Sequence, residues 1–173
     1  AEVSPSKIAP RHSGIVTVTL NSKRLKDMGL TQTSVFLGAF PGDRVSHEKE
    51  IEVSAVLLPK FDNLTASQLA NAPRMSLSTT ELNLGAFNGK KRLKGEIIIR
   101  NDGKRTLKIK NLQMFTVGLQ VSLNKQNLKP GETAKLKITA DQRQLKNARS
   151  KPRVLMITND PNLPKVTIKI ITE

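Results

Sequence analysis

The sequence predicts an all-β protein made of two tandem β-sandwich domains, the first of which lacks its N-terminal strands. Three features indicate this: short segments of alternating apolar and polar residues, turn residues between them, and a repeat relating the two halves. The predicted domains are residues 1–60, the C-terminal part of a first domain, and residues 75–173, a complete domain. Residues 61–74 are predicted to form a linker with a helical turn.

The second half is organised around residues 95–112. Two strand-like runs, residues 96–100 and 106–112, flank the turn sequence Asn-Asp-Gly-Lys at 101–104. Asn, Asp and Gly adopt the positive φ of tight turns at low cost, so this segment predicts a β-hairpin. The second run alternates apolar and Lys residues, which is the period of a strand with one buried and one solvated face.

Other alternating segments predict the remaining strands. In the second half they are residues 76–84, 119–123, 134–140, 153–158 and 165–172, with a basic loop at 142–152. In the first half they are residues 15–20, 33–40 and 48–58. The second half thus has about seven strands, at the spacing of an Ig-like sandwich.

A repeat relates the two halves at a fixed separation of 120 residues. Two turn prolines match, Pro10 with Pro130 and Pro41 with Pro161. The apolar matches are Ile8 with Leu128, Val16 with Leu136, Val18 with Ile138, Leu25 with Leu145, Val35 with Leu155 and Leu37 with Ile157; after a three-residue slip they are Ile51 with Ile168 and Val53 with Ile170. So many matches in one register predict two copies of one fold.

The first copy has no counterpart of residues 76–112, and therefore lacks its first three strands. A half sandwich exposes sheet edges and an apolar face. Two explanations remain open. The native chain begins before Ala1, which we favour, or this copy is completed by packing against the second domain or another chain.

The composition excludes several classes of site. The chain has no Cys, which excludes disulfides, thiolate metal sites and cysteine nucleophiles. This fits a reducing cytosol or a bacterial envelope protein without disulfides. No run of about 18 apolar residues occurs, so no transmembrane segment is expected. No apolar h-region opens the chain, so we expect that any signal peptide has been removed.

Catalytic and metal-binding patterns are not found in the sequence. His12 and His47 lie in a predicted turn and loop, and neither has a partner at metal-ligand spacing. The segment Asn-Asp-Pro-Asn at 159–162 offers one carboxylate, too few oxygen ligands for calcium, and is predicted to be a turn. We therefore expect no enzymatic activity, no cofactor and no small-molecule substrate.

The basic residues give the one specific binding hypothesis. Residues 1–74 hold nine Lys and Arg against seven Asp and Glu, whereas residues 75–173 hold twenty against seven. If their strands lie in one sheet, the outward Lys side chains form a stripe that could bind anions; its predicted members are Lys108, Lys110, Lys135, Lys137, Lys90, Lys91, Arg92 and Lys94. A second cluster comprises Arg143, Lys146, Arg149, Lys151 and Arg153. The alternative is an ordinary solvated face, since Phe87 and Phe115 are expected in the core rather than as stacking platforms.

Several sequence blocks resemble a known family. They are FDNLTASQLANAP at 61–73, LNLGAF at 82–87, IIIRNDGKRTLKIKN at 97–111, LKPGETAKLKIT at 128–139 and ITNDPNLPKVTIKI at 157–170. In this order they resemble a bacterial exported family of unknown function with tandem Ig-like repeats of the ASH/hydin type. Many members carry a Cys pair between the third and fourth strands, but residues 113–120 have none, so no role of that pair transfers.

The resemblance implies an exported protein without enzymatic activity, periplasmic or on the surface of a Gram-negative bacterium. We expect it to bind a protein partner as an adhesion, scaffold or assembly module, through edge strands and end loops. The alternative is a binder of an anionic polymer (nucleic acid or glycan) or lipid headgroup through the basic second domain. The two differ in salt dependence, because phosphate and sulfate contacts weaken steeply as salt rises.

Overall fold

The computed structural model describes residues 1–25, 28–148 and 150–173. Its contacts divide the chain into two compact units, Ala1–Leu57 and Leu58–Glu173. Both consist mainly of antiparallel strands, which confirms the predicted all-β class. No helix in the described part of the chain is long and apolar enough to cross a membrane.

The first unit contains two separate two-stranded sheets. Strand β1 (Glu2–Ser4) pairs with β2 (Ile15–Thr17), and β3 (Gly29–Phe36) pairs with β4 (Glu50–Leu57). Short 3-10 turns span Ser22–Arg24 and His47–Lys49. Strand β3 ends before the predicted boundary at residue 40. The reason is that Phe40 belongs to the next turn, where its carbonyl accepts a hydrogen bond from the Asp43 N–H at 3.1 Å.

The second unit is a sandwich of a four-stranded and a five-stranded sheet. Its elements are α1 (Ala66–Ala70), β5 (Met75–Leu77), β6 (Glu81–Gly85), β7 (Arg92–Asn101), β8 (Leu107–Met114), β9 (Leu119–Leu123), β10 (Asn127–Leu128), β11 (Thr133–Asp141), α2 (Gln142–Lys146), β12 (Arg153–Thr158) and β13 (Lys165–Thr172). The sheet orders are β5-β7-β11-β9 and β10-β8-β12-β13-β6. Only β13 and β6 pair in parallel among the described strands.

The core of the second unit lies between these two sheets. Alternate residues of the central strands are fully buried, among them Ile97 and Ile99 of β7 and Leu136 and Ile138 of β11. Burial of one such side chain stabilises the fold by about 1.5–3 kcal/mol. Phe87 is buried in this core, as predicted.

The predicted hairpin of residues 95–112 is wrong. Strand β7 pairs with β5 and β11, while β8 pairs with β10 and β12, so the turn between them carries the chain from one sheet to the other. The Asp102 N–H donates to Arg74 O at 2.8 Å, and the Lys104 N–H donates to Ala72 O at 3.2 Å. The turn therefore satisfies its backbone groups on the segment before β5, not across a hairpin.

Asn101 and Gly103 show why this crossing forms. The Asn101 side chain is fully buried; its Nδ2 donates to the carbonyls of Arg105 and Leu128 at 2.8 and 2.9 Å. A Cβ on Gly103 would lie 2.3 Å from Arg74 N, so only glycine permits this approach of two backbone segments. The sequence signal of a turn is therefore correct, but its role is to join the sheets.

Helix α1 lies within the segment predicted as a linker. Thr65 caps it, with Thr65 Oγ1 accepting from Gln68 N at 3.2 Å and Gln68 Oε1 accepting from Thr65 N at 2.8 Å. This capping box fits the expected helical turn before Pro73. The contacts place residues 61–74 with the second unit.

Candidate functional site

The predicted basic stripe does not form, because its strands belong to different sheets. Lys108 and Lys110 lie on β8 of the five-stranded sheet, and Lys135 and Lys137 lie on β11 of the four-stranded sheet. All four side chains are exposed, as predicted. The two sheets share one core, so these pairs lie on opposite outer faces of the sandwich.

The outer face of the four-stranded sheet brings together four members of the predicted set. Arg92 and Lys94 on β7 lie beside β11, which carries Lys135 and Lys137. Arg92 pairs with Asp141 at 3.2 Å and Lys135 pairs with Glu96 at 3.4 Å. In the described residues, Lys94 and Lys137 form no ion pair, and both line a shallow depression of about 500 Å³.

Asp141 links this face of the sheet to helix α2 through two hydrogen bonds. Its Oδ1 accepts from Gln144 N at 3.3 Å, and its Oδ2 accepts from Arg92 Nε. These two donors, the Gln144 amide first, hold the pKa of Asp141 below its ordinary value. The predicted loop at 142–152 therefore begins with a helix, because Asp141 supplies an N-cap.

Lys90 and Lys91 lie at one end of the sandwich, in the exposed turn before β7. Asn88 and Gly89 adopt positive φ there, and the Lys90 N–H donates to Phe87 O at 2.8 Å. The Lys91 carbonyl accepts from Gln142 N at 3.0 Å. These two lysines are thus fixed at the backbone level beside α2.

The second basic cluster is divided between α2 and β12. Arg143 and Lys146 lie on α2, and Arg149 lies outside the described residues. Lys151 and Arg153 line a pocket together with Lys169. Sequence reasoning does not assign Lys169 to this cluster, although the alternation in β13 places it on an exposed position.

Phe115 and the two histidines have clear structural partners. Phe115 is half-buried beneath Arg153, whose guanidinium carbon lies 4.8 Å from the ring centroid. His47 Nδ1 lies 2.8 Å from Glu50 Oε2, and His12 Nδ1 lies 3.0 Å from the Pro10 carbonyl. No group of three or more His, Cys, Asp or Glu residues suited to a metal ion occurs in the described residues.

The Asn-Asp-Pro-Asn segment forms the predicted turn between β12 and β13. Asp160 is almost fully buried; its Oδ2 accepts from Met75 N at 2.7 Å and its Oδ1 from Asn162 N at 2.9 Å. Asn159 Oδ1 accepts from Lys108 N at 2.6 Å. Both carboxylate oxygens are thus engaged in holding the end of the sandwich together.

The first unit offers a different surface, formed by two separate two-stranded sheets with exposed apolar side chains. Gly29 is the only buried residue in its described part. Its exposed large apolar residues are Val3, Ile8, Ile15, Val18, Leu20, Met28, Phe36, Leu37, Phe40 and Val45. In the described residues, β2 pairs with β1 alone and β3 with β4 alone.

The pairing of β1 with β2 in the first unit has the same register as a strand pair of the second unit, at the repeat distance of 120 residues. Val3 pairs with Val16 in β1–β2, and Leu123 pairs with Leu136 in β9–β11, so the two pairings differ by 120 residues on both strands. On its other side β11 pairs with β7, where Leu136 faces Ile97. The corresponding side of β2 has no strand in the described part of the chain.

The predicted matches of Val35 with Leu155 and of Ile51 with Ile168 cannot both hold, because they differ by one residue in strand register. Val35 pairs with Ile51 in β3–β4, whereas Ile168 pairs with Val154 and not with Leu155 in β12–β13. A one-residue slip moves every side chain of a strand to the other face. If the match of Ile51 with Ile168 is kept, Val35 corresponds to Val154, which belongs to the core cluster between the sheets.

A family profile and one solved structure agree with this fold. The chain is similar to a protein of unknown function from Porphyromonas gingivalis W83, with 26% identity and a TM-score of 0.65 over 87% of this chain and 68% of that one. The secreted serine protease VesC from Vibrio cholerae is matched at 10% identity and a TM-score of 0.40, over 62% of this chain and 24% of that chain. A search of curated proteins finds no match. The HYDIN/CFA65/VesB-like Ig-like domain profile matches residues 73–172, more than half of the sequence, and the chain therefore belongs to this Ig-like domain family.

Proposed function

We propose that this protein is a non-enzymatic interaction module whose first unit is completed by another chain, the second of the two explanations given above: it binds an extended segment of a protein partner as an added β-strand. The observation that carries the proposal is the open edge of β2. Its counterpart by register, β11, has a strand on each side, whereas β2 has one in the described part of the chain. An exposed strand edge presents unpaired N–H and C=O groups that bind another strand.

The register between β11 and β7 predicts the direction and the side-chain pattern of the segment that would bind beside β2. In β11 the Lys135 carbonyl accepts from the N–H of Asn124, the residue directly after β9, so the next residue, Leu136, directs its backbone groups toward β7. The equivalent residue of β2 is Val16, whose N–H then points to the open edge. The added segment runs antiparallel to β2 and carries apolar residues at alternate positions, as β7 does with Ile97 and Ile99.

Exposed apolar residues beside this edge support a strand with an apolar face. Val18 and Leu20 are exposed, while Ile138 and Ala140, 120 residues further on, are fully buried against β7 and the opposite sheet. An added strand would cover the same face of the first unit. Each buried side chain of this size contributes about 1.5–3 kcal/mol, which acts together with the hydrogen bonds of the strand edge against the ordering cost of about 1–2 kcal/mol per residue.

The proposal is tested with a synthetic peptide of the β7 sequence, RLKGEIIIRN, added to the whole ¹⁵N-labelled protein. Binding should protect the amide of Val16 from hydrogen exchange. Val16→Lys places a charge on the face that the peptide covers, and should weaken binding by about tenfold. Thr17→Lys, with the same change of charge on the opposite face, should leave the affinity within about twofold.

Three results would contradict strand addition: no protection of Val16, equal affinity of the Val16→Lys and Thr17→Lys variants for the peptide, or a β2-dependent dimer that excludes the peptide. Sedimentation of the protein without peptide detects the dimer. A peptide in which both apolar Ile residues at positions 97 and 99 are replaced by Asn keeps the backbone donors. It should bind weakly if the apolar face contributes as proposed.

A second candidate function is anion binding by the four-stranded sheet, which Lys94 and Lys137 favour because they lack ion-pair partners in the described residues. Retention of the protein on immobilised heparin over a salt gradient tests it. The double variant Lys94→Gln with Lys137→Gln should elute at lower salt. Lys108→Gln with Lys110→Gln removes the same charge from the opposite face and should elute later than that variant. Equal elution would show that only total charge matters.

Export to the envelope of a Gram-negative bacterium, and a role in adhesion or assembly, are parts of the same proposal. The resemblance of the sequence blocks to an exported family supports them. Fractionation of the source cells with an antibody to the second unit tests the location. Detection in the cytosol alone would contradict it.

A further inference from the structure

A pocket of about 620 Å³ opens in the second unit beside the first residues of β12. Its lining is Glu81, Ser150, Lys151, Pro152, Arg153, Lys169, Ile170 and Ile171. One part of this wall is basic and the other is apolar. Such a combination of concave shape, apolar wall and few polar groups is typical of ligand sites.

Arg153 is the central basic residue of this pocket. Its guanidinium lies over the Phe115 ring, 4.8 Å from the centroid, which restricts the side chain by a cation–π contact. Its Nε is buried and has no hydrogen-bond partner in the described residues. A buried donor without a partner costs about 1–3 kcal/mol and indicates a place for a bound water or ion.

The remaining charges of the pocket favour an anion. Glu81 is its only carboxylate in the described lining, and it is engaged by Lys169 at 2.6 Å. In the described residues, Lys151 and Arg153 form no ion pair. An entering anion therefore meets two uncompensated positive charges, and no free carboxylate repels it.

We propose that this pocket binds a small oxyanion group, a carboxylate or a phosphate, through Arg153 and Lys151. The planar guanidinium presents Nε and a terminal nitrogen in the fork geometry that matches two oxygens of such a group. The apolar stem of the ligand packs on Pro152 and Ile171. This site lies wholly in the second unit and does not depend on strand addition to the first.

The test is a ¹H–¹⁵N NMR titration of the whole protein with inorganic phosphate and, separately, with succinate at constant ionic strength. The Arg153 Nε–H resonance should shift saturably with at least one of them, with an affinity of about 1 mM. The stronger of the two shifts identifies the anion class. Arg153→Gln should reduce the affinity at the pocket amides of Lys151 and Ile170 by at least about tenfold.

Two further variants separate a built site from general charge. Arg153→Lys keeps the charge but removes Nε, and should lose most of the affinity if the buried donor acts as proposed. Lys129→Gln removes one charge from the exposed turn after β10, and should leave the affinity within about twofold. A linear, unsaturated shift with both anions would overturn the proposal. So would equal losses in the Lys129→Gln and Arg153→Gln variants.

Discussion

Two isomeric side chains show the difference between the two units. Ile8 in the first unit and Leu128 in the second are separated by the repeat distance of 120 residues. Ile8 is 48% exposed, whereas Leu128 is fully buried. Their local sequences are similar, so the burial of Leu128 depends on β7 and β8, which supply the facing apolar residues. Alternation places side chains on one face of a strand, but only the opposite sheet makes that face a core.

The largest expected effect compares these two residues directly. Leu128→Ala removes a fully buried side chain and should lower the free energy of unfolding of the second unit by about 2–5 kcal/mol. Ile8→Ala removes an equally large but exposed side chain and should cost less than about 1 kcal/mol. Urea unfolding followed by NMR resonances of each unit measures both. If Ile8→Ala is as costly as Leu128→Ala, the first unit has an apolar core of its own.

A buried asparagine of the second unit and an exposed asparagine of the first extend the comparison to polar side chains. Asn101 is fully buried, and its Oδ1 accepts from Arg74 N and Gly103 N in addition to its two donated bonds. Asn101→Ala leaves several buried groups unsatisfied, and should destabilise the second unit by about 3 kcal/mol. Asn21 is exposed and caps a 3-10 turn by accepting from Lys23 N at 3.1 Å.

Asn21→Ala should therefore cost less than about 1 kcal/mol in the first unit. The measurement is the same unit-resolved urea unfolding. Equal costs at the two positions would mean that exposure does not decide the strength of these side-chain hydrogen bonds. That result would also weaken the view that the turn after β7 is held in place by Asn101.

Strand positions are more predictable than strand partners. The predicted residues 119–123, 153–158 and 165–172 coincide with β9, β12 and β13, because alternation and flanking turn residues are local signals. Nothing local in the Asn-Asp-Gly-Lys turn reveals that its N–H groups bond to residues 72–74. The hairpin prediction is wrong for this reason.

The same limit applies to the predicted basic residues. Alternation correctly places Lys108 and Lys135 on solvent-facing positions, but it cannot show that their strands belong to opposite sheets. The pocket around Arg153 is also only partly predictable. Lys151 and Arg153 are neighbours in sequence, whereas Lys169 joins them through the antiparallel register in which Arg153 faces Lys169. Such contacts between distant segments require the sheet topology.

The smallest expected effect is the change in stability at acidic pH, for which each unit has one aspartate with a lowered pKa. In the first unit Lys49 Nζ donates to Asp43 Oδ2 at 2.6 Å, and the Ala39 N–H donates to the same oxygen at 2.8 Å. These bonds, that of Lys49 first, hold the pKa of Asp43 below its ordinary value of 3.8. In the second unit the carboxyl group compared with it is that of Asp141, whose pKa is lowered mainly by the Gln144 amide.

A lowered pKa in the folded state means that the ionised carboxylate stabilises the fold above pH 3.8, and that this contribution is lost as the pH falls through the folded-state pKa. Carboxyl ¹³C titration should place the pKa of both groups below 3.8. Asp43→Asn should abolish the acid-induced shift of the Ala39 amide and leave that of Gln144 unchanged, and Asp141→Asn should do the reverse. If Asp43 instead titrates at or above 3.8, the turn of residues 39–43 is not held by these bonds in solution, and the two units differ in their local polar order as well as in the burial of their apolar residues.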